Sequence, residues 1–165
     1  MEFQQQFDRS MQGIKKNNIF KSSGTAAKLF VYGTLRNAYS HQLHHILSDK
    51  FEFIGEGSIR GILYDIGQYP GAVISMSAKT KIVGEIYQVK DKDTIYSALK
   101  ILDAYEGYDG ADLTGSEFIR KKKFVKLNNG KRVLSWIYIY NAPVSDKHLI
   151  RSGDFIHHIS TKESP

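Results

Sequence analysis

The chain has 165 residues, no cysteine and a formal net charge of +6. That length suits one domain with a sizeable core, and the missing cysteines exclude a disulfide framework, a thiol nucleophile and a cysteine-ligated zinc site. No stretch is apolar for long enough to be a signal h-region or a membrane span, so a soluble, cytoplasmic protein is expected.

In chain order, residues 1–27 differ from the rest of the chain, being rich in Gln, Asn and Lys, and are read as an extension. Phe3, Phe7, Met11 and Ile14 fall at helical spacing, which fits a short amphipathic helix docked on the domain or a partner. The polar composition fits a frayed, flexible tail as well. One domain is expected over residues 28–160, with a tail at 161–165. Its first apolar run, residues 29–32, reads as a buried strand that opens into the tight turn Gly33-Thr34-Leu35-Arg36. A glycine turn lets main-chain N–H groups approach a ligand closely, so Gly33, Thr34 and Leu35 are candidate donors. A turn that merely closes a barrel would carry the same residues.

Residues 40–47 read as a helix, with Ser40 as N-cap and Leu43, Ile46 and Leu47 as its apolar face. Strands are expected at 51–54, 59–66, 72–76 and 81–89. Ile95, Leu99, Leu102 and Tyr105 recur at steps of four, three and three and predict a helix behind Asp93 and Thr94 as candidate N-caps, with Gly107 as its stop. A hairpin comes next, residues 118–127 returning as 132–140 through Asn128-Asn129-Gly130. Short strands mixed with few helices indicate an α+β barrel without internal repeats.

Glu106 is the candidate catalytic group. A carboxylate in the last helical turn meets the negative end of the helix dipole, and Tyr105 and Tyr108 beside it strip water from it. Both effects raise its pKa, as a general base working near neutral pH requires. Asp103, one turn earlier, adds like-charge repulsion. The alternative is an exposed helix-end glutamate with no chemistry.

Phe30-Val31-Tyr32-Gly33-Thr34-Leu35-Arg36, followed by Leu102-Asp103-Ala104-Tyr105-Glu106-Gly107-Tyr108, resembles the gamma-glutamylcyclotransferase-like (AIG2-like) family. Gly61-Ile62-Leu63-Tyr64-Asp65-Ile66-Gly67 with Tyr69-Pro70, Val83-Gly84-Glu85-Ile86-Tyr87, Phe118-Ile119-Arg120 and Ser152-Gly153-Asp154 fall in the family's order, so the likeness runs over roughly residues 28–159. It implies a small, mostly antiparallel β-barrel with flanking helices and a cavity at one mouth. It also implies a cofactor-independent enzyme in which Glu106 is the acid/base and Tyr32, Gly33, Thr34 and Leu35 hold the gamma-glutamyl group. The implied substrate is a small gamma-glutamyl amine or gamma-glutamyl amino acid, cyclised to 5-oxoproline with release of the amine. Tyr138 loosely matches a substrate-contacting tyrosine of related enzymes, and core packing would explain it equally. A catalytically silent ligand-binding or interaction domain on the same barrel is the runner-up. An N-terminal extension is a departure from the family pattern.

Rival motifs are weaker. His41 and His45 have the helical spacing of a zinc pair, but Gln42 replaces the glutamate of H-E-x-x-H chemistry, so no metal site is expected. Gly55-x-Gly57 continues with Arg60 where a dinucleotide loop needs its third glycine. There is no nucleophile elbow or P-loop. Glu85 is the strongest alternative carboxylate, because alternation puts it on one strand face with Val83 and Tyr87. Arg120, Lys121, Lys122, Lys123, Lys126, Lys131 and Arg132 concentrate charge on one hairpin. A solvated edge that discourages sheet pairing explains them more simply than RNA binding. The sequence leaves the oligomeric state open.

Overall fold

A computed structural model describes residues 26–37 and 42–162. Among the described residues seven strands form the sheet: β1 (Lys28–Val31), β2 (Phe51–Asp65), β3 (Pro70–Ile74), β4 (Lys81–Val89), β5 (Phe118–Leu127), β6 (Arg132–Tyr140) and β7 (His148–Leu149). Helices α1 (Gln42–Lys50), α2 (Ile95–Tyr105) and α3 (Phe155–Lys162) flank it.

Five strands close on themselves in the order β2, β4, β1, β6, β5, and the ring is completed by Gly57↔Leu127 and Ser58↔Lys126. β1 runs parallel to β6 and antiparallel to β4, while β3 and β7 extend β2 outside the ring. Closure removes most of the exposed edge that an open sheet would present. The product is the α+β, mostly antiparallel barrel expected.

Alternation along β1 sorts its side chains into two cores. Phe30 packs with Ile82, Ile86, Val125 and Ile137, and Phe155 of α3 joins them. Leu29 and Val31 pack instead with Leu47 of α1 and Ala98 and Leu102 of α2. Each such buried Leu, Ile or Phe contributes roughly 1.5–3 kcal/mol. The second core matters most for the site, since it clamps α2 across β1 and so fixes where the helix ends.

The hairpin strands and β4 match their sequence-based bounds and α2 forms where the apolar spacing placed a helix, whereas other elements differ. The strands expected at 51–54 and 59–66 are one 15-residue strand with a bulge between Phe53 and Gly55. Gly57 does not break it; β5 crosses there so closely that a Cβ would lie 2.6 Å from the Lys126 carbonyl oxygen. The strand expected at 72–76 lies at Pro70–Ile74, and the helix expected at 40–47 is α1, with Ser40 outside the described residues. Asp91, ahead of both expected N-caps, accepts from Asp93 N–H and caps a 3-10 turn leading into α2, where Thr94 makes no side-chain cap. β7 and α3 had no sequence-based counterpart.

Candidate active site

α2 ends as its sequence demands. Glu106 N–H still bonds to Leu102 C=O at 2.9 Å, Gly107 turns left-handed at φ 62°, and Tyr108 N–H returns to Asp103 C=O at 2.9 Å. This Schellman-type closure needs the glycine, because a side chain is costly at that backbone angle. It leaves Glu106 on the wall of a cavity of about 160 Å³.

The turn after β1, closed by Arg36 N–H to Gly33 C=O at 3.0 Å, lines the same cavity. Tyr32, Gly33, Thr34, Leu35, Glu106 and Tyr138, the six residues singled out in the sequence, all line this one cavity. They come from three separate parts of the chain. Tyr32 Oη donates to the Tyr138 carbonyl at 2.7 Å, joining the turn to β6, and Thr34 Oγ1 lies 3.1 Å from Tyr105 Oη, joining it to α2.

Electrostatics follow from this enclosure. Glu106 is partly exposed as a residue, but its carboxylate faces the cavity, and withdrawal from water pushes its pKa up to about 8. The charges of Glu117 and Asp103 add to the shift. Burial, followed by the Glu106 charge, raises Tyr32 well above a normal phenol, so its hydroxyl keeps its proton. Asp103 is raised by burial against the opposing effects of Tyr138 and Arg120. A carboxyl group raised to about 8 inside a cavity exchanges protons near neutral pH; of the causes expected from the sequence, withdrawal from water and the Asp103 charge act here, and the Glu117 charge was not foreseen.

Glu85 takes a different part. It is 5% exposed but does not line the cavity: Arg36 Nε reaches its Oε1 at 3.3 Å, and Asn37 N–H and Tyr87 Oη donate to its Oε2 at 2.9 and 2.7 Å. Arg36 also bonds Asp154 Oδ1 at 2.6 Å. The rival carboxylate is therefore the anchor of the turn that shares the cavity with Glu106.

Among the cavity residues outside the six singled out in the sequence are Tyr69, from the β2–β3 connection, and Glu117, just ahead of β5. Tyr69 Oη donates to Glu117 Oε1, and that bond is the first cause that pushes the phenol up to about 12. Only the Tyr69-Pro70 motif hinted at the first of them. Arg120 does not belong to a solvated basic strip, since it pairs with Asp103 at 2.9 Å and lies over Trp136 at 4.9 Å. His41 lies outside the described residues, and His45 is exposed on α1.

The sequence pattern of the gamma-glutamyl cyclotransferase, AIG2-like family matches residues 29–157, a span that contains every cavity residue named above. The chain belongs to this family. Among its relatives, MJ1514 of Methanocaldococcus jannaschii, provisionally named a gamma-glutamylcyclotransferase, is 32% identical over 130 residues, covering 77% of this chain and 93% of that one. YkqA from Bacillus subtilis superposes with a TM-score of 0.61 at 26% identity over 86% of this chain, which spans 44% of YkqA's length. An AIG2-like protein from mouse superposes with a TM-score of 0.60 over 80% of this chain and 89% of its own, a likeness of fold at 22% identity. Membership of the gamma-glutamyl cyclotransferase family supports a cyclotransferase-type function. No described helix is long and apolar enough to cross a membrane.

Proposed function

We propose that the protein cyclises a gamma-glutamyl amine or gamma-glutamyl amino acid to 5-oxoproline, releasing the amine. The observation that carries this reading is the placement of Glu106, raised to about 8, in one cavity with the Gly33–Leu35 turn. The substrate folds back so that its α-amine nitrogen meets its own gamma-carbonyl carbon. As the new C–N bond forms, Glu106 takes a proton from the attacking nitrogen. Main-chain N–H groups of the turn stabilise the oxyanion. Glu106 then gives the proton to the departing nitrogen as the old C–N bond breaks, so the carboxylate is regenerated and no covalent enzyme intermediate forms. Holding both ends of the substrate in one small cavity supplies the proximity that an intramolecular attack needs.

Tyr138 and Tyr32 serve as walls in this scheme. Their hydroxyls donate to Asp103 and to the Tyr138 carbonyl, which fixes the cavity's shape around the gamma-glutamyl half. A panel of gamma-glutamyl amines and amino acids assayed for 5-oxoproline tests the reading. Release from at least one member without an added cofactor is expected. Saturable binding across the panel with no release would instead assign a silent ligand-binding domain.

A further inference from the structure

Among the described residues lining the cavity, Glu106 and Glu117 are the charged ones, and both are acidic. They sit close together: a Cβ placed on Gly107, next to Glu106, would lie 3.8 Å from Glu117 Cβ. Glu117 is nevertheless an exposed residue, as expected of one at the open mouth, while Glu106 is only partly exposed.

The second carboxylate is held in place. Asn141 N–H bonds the Glu117 carbonyl at 2.9 Å, Tyr69 Oη bonds its carboxylate, and the Tyr69 ring packs against Phe118 with centroids 6.0 Å apart. One hydrogen bond from Tyr69 uses a fraction of the acceptor capacity of a carboxylate, so Glu117 can accept from a second donor. A fixed acceptor loses little freedom when a ligand docks, and its charge acts on whatever passes the mouth.

In the proposed cyclisation the gamma-glutamyl half occupies the space between Glu106 and the turn, and the departing amine points to the mouth. A gamma-glutamyl α-amino acid would bring a carboxylate there, next to the scissile bond and between two glutamates. A diamine derivative would bring an ammonium group instead. We propose that Glu117, held by Tyr69, is a specificity residue that selects gamma-glutamyl derivatives of diamines, whose departing amine carries a second, distal ammonium group. This rests on the cyclisation reading and narrows its substrate class.

Binding separates the two ideas. The full chain carrying Glu106→Gln is titrated calorimetrically with the gamma-glutamyl amides of diaminobutane, butylamine and alanine, with and without Glu117→Gln. The diaminobutane amide should bind about five- to tenfold more tightly than the butylamine amide, and the alanine derivative most weakly, as expected for one charge-assisted hydrogen bond at a mouth. Glu117→Gln should bring the diaminobutane-to-butylamine ratio close to one. An unchanged ratio, or an equal loss for all three compounds, overturns the assignment and gives Glu117 to the shared gamma-glutamyl half or to no ligand. 5-Oxoproline release by protein with Glu106 intact reports on the reaction separately. A Glu117-dependent preference without release keeps the selectivity and removes the cyclisation; release without that preference does the reverse. Failure of all three compounds to bind removes both.

Discussion

Tyr138 donates a hydrogen bond to Asp103 Oδ1 at 2.7 Å, so a side chain of β6 grips the last turn of α2 just ahead of Glu106. Arg120 bonds the other oxygen of Asp103 at 2.9 Å. The negative charge of Asp103 raises Glu106, and in its absence the Arg120 cation would stand beside the site unbalanced. Asp103→Asn should therefore lower the acidic midpoint of the kcat/KM profile by roughly one unit. A profile that keeps its midpoint in the variant would show that the two carboxylates are not coupled.

The wild-type profile has a definite direction. Glu106 must be ionised to take a proton, and with its pKa up to about 8, activity should fall as pH is lowered through that value. The substrate amine must also be neutral to attack, which pushes the optimum the same way. Initial rates of 5-oxoproline release across pH check this. A rate that holds level down to about pH 5, near the range of an unperturbed glutamate, would contradict a buried base.

The same carboxylate should weaken the fold. Its pKa rises from 4.5 to about 8 on folding, so between those values the native state holds a proton that the unfolded chain has released. Stability is then lost as pH rises through that window. Glu106→Gln removes the burden, and its melting temperature should exceed that of the wild type at about pH 9 and approach it near pH 4. Thermal melts of both proteins at the two pH values decide the matter, and parallel melts at both would contradict it.

Glu85 should matter for stability and for the turn. Arg36 and Glu85 are each 5% exposed, and Glu85→Ala would leave the buried guanidinium with Asp154 alone. Breaking a buried pair in this way costs about 3–5 kcal/mol, and the loosened turn should lower activity as well. Urea denaturation measures the first effect. A loss below about 1 kcal/mol would place Glu85 among exposed, weakly coupled ion pairs.

Much of this architecture was legible because local chemistry and tertiary demand agreed. The hairpin turn at Asn128-Asn129-Gly130, with Gly130 at φ 89°, and the apolar spacing of Ile95, Leu99 and Leu102 point to the elements that form. Glu106 and the Tyr32 turn were legible for the same reason, each ending a well-marked element. The gap expected at 55–58 does not occur, because Gly57 admits the crossing strand and Gly55, at φ 149°, sits at a bulge, and neither breaks β2. α3 carried an unread signal, an N-cap in Asp154, whose Oδ1 accepts from Ile156 N–H at 3.0 Å, ahead of apolar Phe155, Ile156 and Ile159. Tyr69 and Glu117 meet across 48 positions of sequence, and no periodicity reports a contact of that kind.

The most direct test of the central claim is 5-oxoproline release by purified Glu106→Gln protein. Glutamine keeps the shape of the side chain but cannot accept and return the proton. Turnover should fall by about a hundredfold or more while the variant stays folded and still binds the gamma-glutamyl compound. Release at close to the wild-type rate would contradict the assignment of Glu106 as the base.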